Sequence, residues 1–378
     1  MTTKPIYLCL AHMGGREQDF IQEAFDTNWV VPLGPNVNGF EGDLKDFLGG
    51  EKEVVALSAG TAAIHLALVQ LGVSAGDEVI CQSFTFCASC NPICYLGASP
   101  VFVDSESSTW NMSPALLEQA IEDRIAKVGK APKAIVVVHL YGMPAQMDEI
   151  LAVADRYNIP VVEDAAEAMG SVYKGKQCGT LGRFGVLSFN GNKMITTSGG
   201  GALICSSVEE RQQAMFYATQ AREPFAYYQH EKIGFNYRMS NICAGIGRGQ
   251  MLIAAEHVAH HRMVHELYVK AFSAVDGIEV LSNPTADFDS NFWLSTILLP
   301  VGTCIDDCVT LADKLKEHGV EVRPLWKPMH LQPIFEGAPA YVDGTAESLF
   351  HRGLCLPSGP CVTEEDAALV VSLILELM

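Results

Sequence analysis

Lys193 is the only cation between Gly185 and Gly201, and its neighbours are apolar, small or neutral-polar. Desolvation disfavours an ammonium ion, so a lysine held in such surroundings can lose its proton near neutral pH and attack a carbonyl. The stretch reads as an apolar strand, a turn, the lysine and then Gly199-Gly200-Gly201. Ser188 offers a hydroxyl on the same turn. The same pattern also fits a surface lysine in a loop between two strands, so the choice depends on what the rest of the chain can bring to it.

Three further segments carry chemistry. Ser58-Ala59-Gly60-Thr61-Ala62-Ala63 lies between a strand-like and a helical run. Small residues there let backbone N–H groups approach a phosphate, and a helix N-terminus favours its charge. The Gly and Lys spacing of a P-loop or a dinucleotide fingerprint is absent. Ser83-Phe84-Thr85-Phe86 follows a strand end, where an aromatic can stack on a heteroaromatic ring or serve the core. Glu163-Asp164-Ala165-Ala166-Glu167 puts carboxylates at the end of an apolar strand. A buried aspartate needs a cation or a proton donor, and a protonated pyridine nitrogen would satisfy it as well as a helix N-terminus would.

The elements that must position these groups alternate in type. Val54 to Leu57, Glu78 to Cys81, Val101 to Val103, Ala134 to Val138, Pro160 to Val162 and Ala202 to Cys205 are apolar and strand-sized. Helical runs separate most of them: Thr61 to Leu71, a stretch ending near Tyr95, Pro114 to Ile121 and Met147 to Tyr157. Continuous apolar strands alternating with helices predict a mostly parallel sheet covered on both faces, with its site beyond the carboxyl ends of the strands. The first fifty or so residues read as irregular, apart from a polar helix near Phe40 to Phe47. A long helix from Ile242 to about Phe272 reads as a connector to shorter strands and two helices, Asp306 to His318 and Glu364 to Leu377. The expected division is a large α/β domain over 1–250 and a smaller α+β domain over 251–378.

A chain of 378 residues with 49% hydrophobic and 18% charged residues has ample material for a core, and its length favours two domains. The net charge of −19 argues against a nucleic-acid or anionic-membrane surface. With no signal-peptide layout and no bilayer-length apolar run, a cytoplasmic location is expected. Twelve scattered cysteines suit a reducing compartment. Cys87, Cys90 and Cys94 read as core cysteines on one face of a helix. His257, His260, His261 and His265 read as a solvated or interface face, because the carboxylate spacing of a zinc helix is missing. No metal site is expected.

Taken together and in this order, these residues resemble the DegT/DnrJ-type nucleotide-sugar aminotransferases, which are fold-type I pyridoxal-phosphate enzymes. The resemblance runs from His12-Met13-Gly14-Gly15 to Cys355-Leu356-Pro357-Ser358-Gly359. Glu163 to Gly170, Phe189 to Gly201 and Arg323 to His330 look closest to the transaminases that make UDP-N-acetylbacillosamine precursors. The resemblance implies pyridoxal 5'-phosphate bound covalently to Lys193, with pyridoxamine 5'-phosphate as the aminated form between half-reactions. Asp164 would pair with the ring nitrogen, Phe86 would stack on the ring, and Glu167 would lie near the ring oxygen. Gly60, Thr61 and Ser188 would hold the phosphate, helped by Asn236 from the second subunit of a homodimer with shared sites. Many family members carry Gln or His where this chain has Glu167, which implies a protonated carboxyl or one turned toward the substrate. L-glutamate would be the donor and a UDP-linked 4-keto-6-deoxy-N-acetylhexosamine the acceptor, aminated at carbon 4. A wet cleft for that nucleotide makes His12, Arg222, Trp293, Arg323, Trp326, Lys327 and His330 substrate candidates. A dTDP-linked or carbon-3 acceptor, and a regulatory dimer that binds the cofactor without turnover, are the alternatives. Related dehydratases have His at the lysine position, and Lys193 argues against that chemistry.

Overall fold

The computed structural model describes residues 4–378. Its centre is an eight-stranded sheet in the order Glu53–Leu57, Gly201–Cys205, Phe184–Ser188, Val161–Asp164, Ala134–Val138, Glu78–Gln82, Ser99–Val103, Ala340–Tyr341. Only Gly201–Cys205 runs against its neighbours; the other pairings are parallel. The central strands are buried on both faces, which is why they read as unbroken apolar runs. Helices Gly60–Gln70, Asn91–Tyr95 and Val208–Ala218 pack on one face, while Pro114–Val128 and Met147–Arg156 lie on the other side of the strands they connect.

A second, antiparallel sheet orders Glu279–Val280, Ser295–Leu298, Gly353–Leu356 and Arg323–Pro324. Helices Ala254–Phe272, Ile305–Glu317 and Glu364–Leu377 share its core, where Val264, Tyr268 and Phe272 meet Ile297, Leu311 and Val370. A three-stranded sheet joins Phe288–Asp289 to Val172–Tyr173 and Lys176–Gln177. The mixed, mostly parallel large sheet with a smaller α+β unit is the architecture expected from the strand pattern. Among the described residues no helix is long and apolar enough to cross a membrane.

Several local expectations change. The first fifty residues hold two helices, Glu17–Asp26 and Pro35–Phe47, the second opened by Gly34 at φ +138 and Pro35 in its first turn. The connector is two helices, Asn241–Met251 and Ala254–Phe272. Ile253 breaks it at φ −119, with its side chain against Gly14, a tertiary contact that no helix-breaking residue announces. The cysteines of the 87–94 segment divide: Cys90 is buried, Cys87 half-buried and Cys94 exposed, because a 3-10 turn precedes a helix of five residues. His257, His261 and His265 are buried, not solvated. Their i, i+4, i+8 spacing lines one face of Ala254–Phe272, and that face is covered by residues around Phe292.

The strand Ala340–Tyr341 brings chain from beyond residue 250 onto the edge of the large sheet. Asp104 holds it there. Its buried carboxylate accepts the N–H groups of Ser105 (2.8 Å), Asp343 (3.1 Å), Gly344 (3.0 Å) and Ala346 (2.9 Å). Asp104→Ala strands these donors, those of Ser105 and Ala346 buried, and is expected to cost about 3 kcal/mol in urea unfolding. A loss below about 1 kcal/mol would show that this anchor is dispensable.

Candidate active site

The carboxyl ends of Val161–Asp164 and Ala134–Val138 open into a cavity of about 390 Å³. Ser58, Gly60, Thr61, Phe86, Asp164, Glu167, Ser188, Lys193, Trp293 and Trp326 are among its lining residues. Among the described residues, Lys193 is the only cationic side chain lining it.

Asp164 ends its strand and is buried. Ser89 donates its hydroxyl to Asp164 Oδ2 at 2.7 Å, and Thr85 Oγ1 lies 2.7 Å from Ser89 Oγ. The Ala166 N–H reaches Oδ1 at 3.2 Å. A hydroxyl relay therefore orients a carboxylate that has no ion-pair partner among the described residues, leaving it able to take a cationic N–H from the cavity. Just behind it, Glu163 is saturated. It accepts His139 Nε2–H and the Gly179 N–H, each at 2.9 Å, and the Leu181 N–H at 2.7 Å. His139 Nδ1 accepts the Ala145 N–H at 3.0 Å, which puts the ring hydrogen on Nε2.

Lys193 follows the strand Phe184–Ser188 in a loop closed by Thr197 N–H to Phe189 O at 3.0 Å. Its Nζ lies 3.2 Å from Glu167 Oε1 and 3.9 Å from the centre of the Trp293 ring. Trp293 is fixed by Nε1–H donation to Asn192 O at 2.6 Å. The lysine amine is thus held between an indole face and a buried carboxylate. Burial pushes the Glu167 carboxyl up from its ordinary range, and the neighbouring Lys193 charge partly offsets this.

At the opposite wall, helix Gly60–Gln70 starts without a side-chain cap, so its first N–H groups are free to meet an anion. Two glycines make the approach possible. A Cβ on Gly60 would sit 3.2 Å from Ser188 Cβ, and one on Gly201 would sit 2.3 Å from the Gly60 nitrogen. A bulkier residue at either position would push the helix start away from Ser188.

The other candidates lie elsewhere in this chain. Asn236 is exposed and bridges to Thr219. The Tyr237 carbonyl beside it accepts the Ser58 N–H at 2.8 Å. Arg222 is exposed against the Tyr228 ring at 4.4 Å. Arg323 pairs with Glu321 at 2.8 Å, and Lys327 is exposed. Ser83 Oγ and His330 Nδ1 are hydrogen-bonded at 2.6 Å. His12 Nδ1–H donates to His257 Nε2 at 3.1 Å, whose Nδ1–H is given to Met194 O at 3.0 Å. None of these six side chains lines the cavity. Sequence reading missed the relay of Thr85 and Ser89, because the Asp164 that Ser89 bonds is remote in the chain, and also missed Tyr141. For Tyr141 the only cue was a Tyr-Gly turn after a buried strand. Among the described residues no group of three or more His, Cys, Asp or Glu is placed to hold a metal.

The sequence profile of the DegT/DnrJ/EryC1/StrS aminotransferase family matches residues 12–375. The chain belongs to that family. This aminotransferase is 50% identical over 378 residues to EpsN of Bacillus subtilis (strain 168), a candidate pyridoxal phosphate-dependent aminotransferase; the match covers 99% of this chain and 96% of that protein. It is 37% identical over 369 residues to the GDP-perosamine synthase of Caulobacter vibrioides, covering 97% and 96% of the two chains. Its structure matches that of a DegT DnrJ EryC1 StrS aminotransferase from Brucella abortus with a TM-score of 0.88 at 28% identity, over 96% and 95% of the two chains. The fold is that of the fold-type I enzymes.

Proposed function

We propose that this aminotransferase binds pyridoxal 5'-phosphate in the cavity and moves the amino group of L-glutamate to carbon 4 of a UDP-linked 4-keto-6-deoxy-N-acetylhexosamine. The observation that carries the reading is the joint opening of Lys193 and the hydroxyl-oriented Asp164 into one cavity. The residues fit the cofactor: a buried carboxylate without a counter-ion, an amine, and an uncapped helix start kept open by Gly60 and Gly201. Bound there, it supplies a carbonyl for the amine and a ring that draws electrons from the carbon losing its proton.

The chain does the rest. Asp164, held in line by the Ser89 hydroxyl, would accept the ring N–H and favour the protonated nitrogen. The N–H groups of Gly60 and Thr61 and the Ser188 hydroxyl hold the phosphate, and Phe86 packs on the ring. Lys193 Nζ would be the amine that holds the cofactor, and as a free amine it would take up and return the proton at the donor's α-carbon. Glu167 stands beside that amine and steadies its charge when it is protonated.

A second chain completes the site in this reading. Lys193 is taken up with the cofactor in this reading and, among the described residues, the cavity lining offers no other cation, so the charge that holds a nucleotide diphosphate must come from outside the cavity. The Asn236 segment is exposed beside Ser58, and its neighbour Ile233 is 85% exposed. This supports a homodimer in which Asn236 reaches the partner's phosphate. Arg222, Arg323, Lys327, His330 and His12 then border the nucleotide cleft outside the cofactor cavity, with Trp293 and Trp326 as its aromatic walls.

A second reading, a GDP-linked keto-sugar as acceptor, is favoured by relatives named for GDP-perosamine. Incubation with L-glutamate and a panel of UDP-, GDP- and dTDP-linked keto-sugars, read by mass spectrometry, separates the two. The expected result is an amino product from the UDP-linked N-acetylated sugar. An amino product from the GDP-linked sugar alone would replace the acceptor, and no amino product from any would sink the aminotransfer reading.

A further inference from the structure

Tyr141 is buried in a left-handed backbone conformation, φ +54 and ψ +15, that a bulky residue rarely adopts. Two separate groups of this residue reach two separate parts of the site. Its backbone N–H donates to Glu167 Oε2 at 2.7 Å, and the other oxygen of that carboxylate is the one facing Lys193 Nζ. Its hydroxyl accepts the Trp326 N–H at 3.1 Å, and its ring lies 5.1 Å from the Trp326 ring. Trp326 arrives from the small sheet, where the adjacent Leu325 N–H donates to Gly353 O at 2.9 Å.

The turn that carries Tyr141 is locked from behind. Ser171 Oγ–H donates to Gly142 O at 2.6 Å. Gly142 has φ +95, and a Cβ there would lie 1.9 Å from Asn291 Oδ1. The same Asn291 donates to Glu167 O at 2.8 Å and accepts the Trp293 N–H at 2.8 Å. The turn is therefore tied to the carboxylate beside Lys193 and to both aromatic walls of the cavity.

We propose that Tyr141 is a positioning residue: its hydroxyl and ring set where Trp326, on the acceptor side, stands relative to the Lys193–Glu167 pair. The inference rests on the reading of Trp326 as an acceptor-side wall. Tyr141→Phe keeps the backbone N–H to Glu167 and removes the hydroxyl alone, with its bond to the Trp326 N–H and its contact with Cys355 of the same small sheet.

The expected result is a KM for the keto-sugar nucleotide raised about tenfold, with kcat lowered by less than about threefold and the KM for L-glutamate by less than about twofold in either direction. In the full-length protein, with and without cofactor, amide hydrogen exchange at residues 325–327 is expected to quicken by about tenfold. Unchanged exchange in that segment overturns the proposal, and so does an equal rise in both KM values. If the wild-type protein aminates no keto-sugar, the functional reading falls, while the exchange comparison still decides whether Tyr141 holds the Trp326 segment.

Discussion

Replacing Lys193 with alanine is expected to lower turnover by about ten-thousandfold or more while leaving the fold intact. The loop is closed by its own backbone, Thr197 to Phe189 and Phe189 to Gly200, so it does not depend on the lysine side chain for its shape. The electrostatic cost falls on Glu167, which is buried and loses the cation 3.2 Å away. That carboxyl can respond by taking a proton, so melting temperature should move little. Lys193→Arg separates charge from chemistry. The guanidinium keeps a positive charge near Glu167 and cannot give up its proton near neutral pH, so turnover should be as low as in the alanine variant. A small primary amine added to the alanine variant should restore part of the rate. Borohydride reduction of the cofactor-loaded protein should label Lys193 and leave the variant unlabelled. An alanine variant that keeps about a tenth of wild-type turnover would remove the lysine from the chemistry.

The second large effect concerns acid. Burial holds His261 at about 3, helped by the nearby His257 and His260. Burial alone holds His265 at about 3. Both ring nitrogens of His261 and Nδ1 of His265 lack hydrogen-bond partners among the described residues, and the His265 ring stacks on Phe292 at 3.5 Å between centres. Both groups must therefore fold uncharged. The unfolded chain takes up these protons as pH falls through the ordinary histidine value of 6.5, whereas the folded chain does so only near 3. The stabilisation is complete above 6.5 and is lost as pH falls toward 3. Two such groups give a slope of up to about 2.7 kcal/mol per pH unit in that window, enough to exhaust the stability of an ordinary domain. Acid unfolding followed by circular dichroism should show an early midpoint. His261→Leu with His265→Leu should move it down by about one pH unit. A midpoint that does not move would show that other groups govern acid unfolding. The segment covering these histidines, Phe292 and Trp293, also walls the cavity, so loss of cofactor absorbance should accompany the transition.

How far the site was legible can be judged residue by residue. Lys193 and Asp164 were legible as polar groups at or just past the ends of apolar strands, and strand ends in such sheets face the site. Gly60 was visible as a small residue at a strand-to-helix turn. The histidines of Ala254–Phe272 were misread because a lone helix does not reveal what covers it. Polar residues default to solvent, and only the fold of 290–293 over that face buries them. The roles of Ser89 and Thr85 were invisible for a related reason: a hydroxyl has no partner preference that spacing can show, and the carboxylate that Ser89 bonds lies far along the chain.

By itself the amino-acid sequence determined the alternation of buried strands and helices, the chemistry available at Lys193, Asp164 and Glu167, and the family. These are local properties: apolar runs set strands, small residues set close approach, and residue type sets reactivity. The tertiary structure alone decided which groups share a cavity. It placed Trp293 over the lysine, set Ser89 behind Asp164, spent Glu163 on a buried turn, and joined Tyr141 to Trp326 across two sheets. Those outcomes depend on contacts between residues distant in the chain, and packing, not local pattern, fixes which distant surfaces meet.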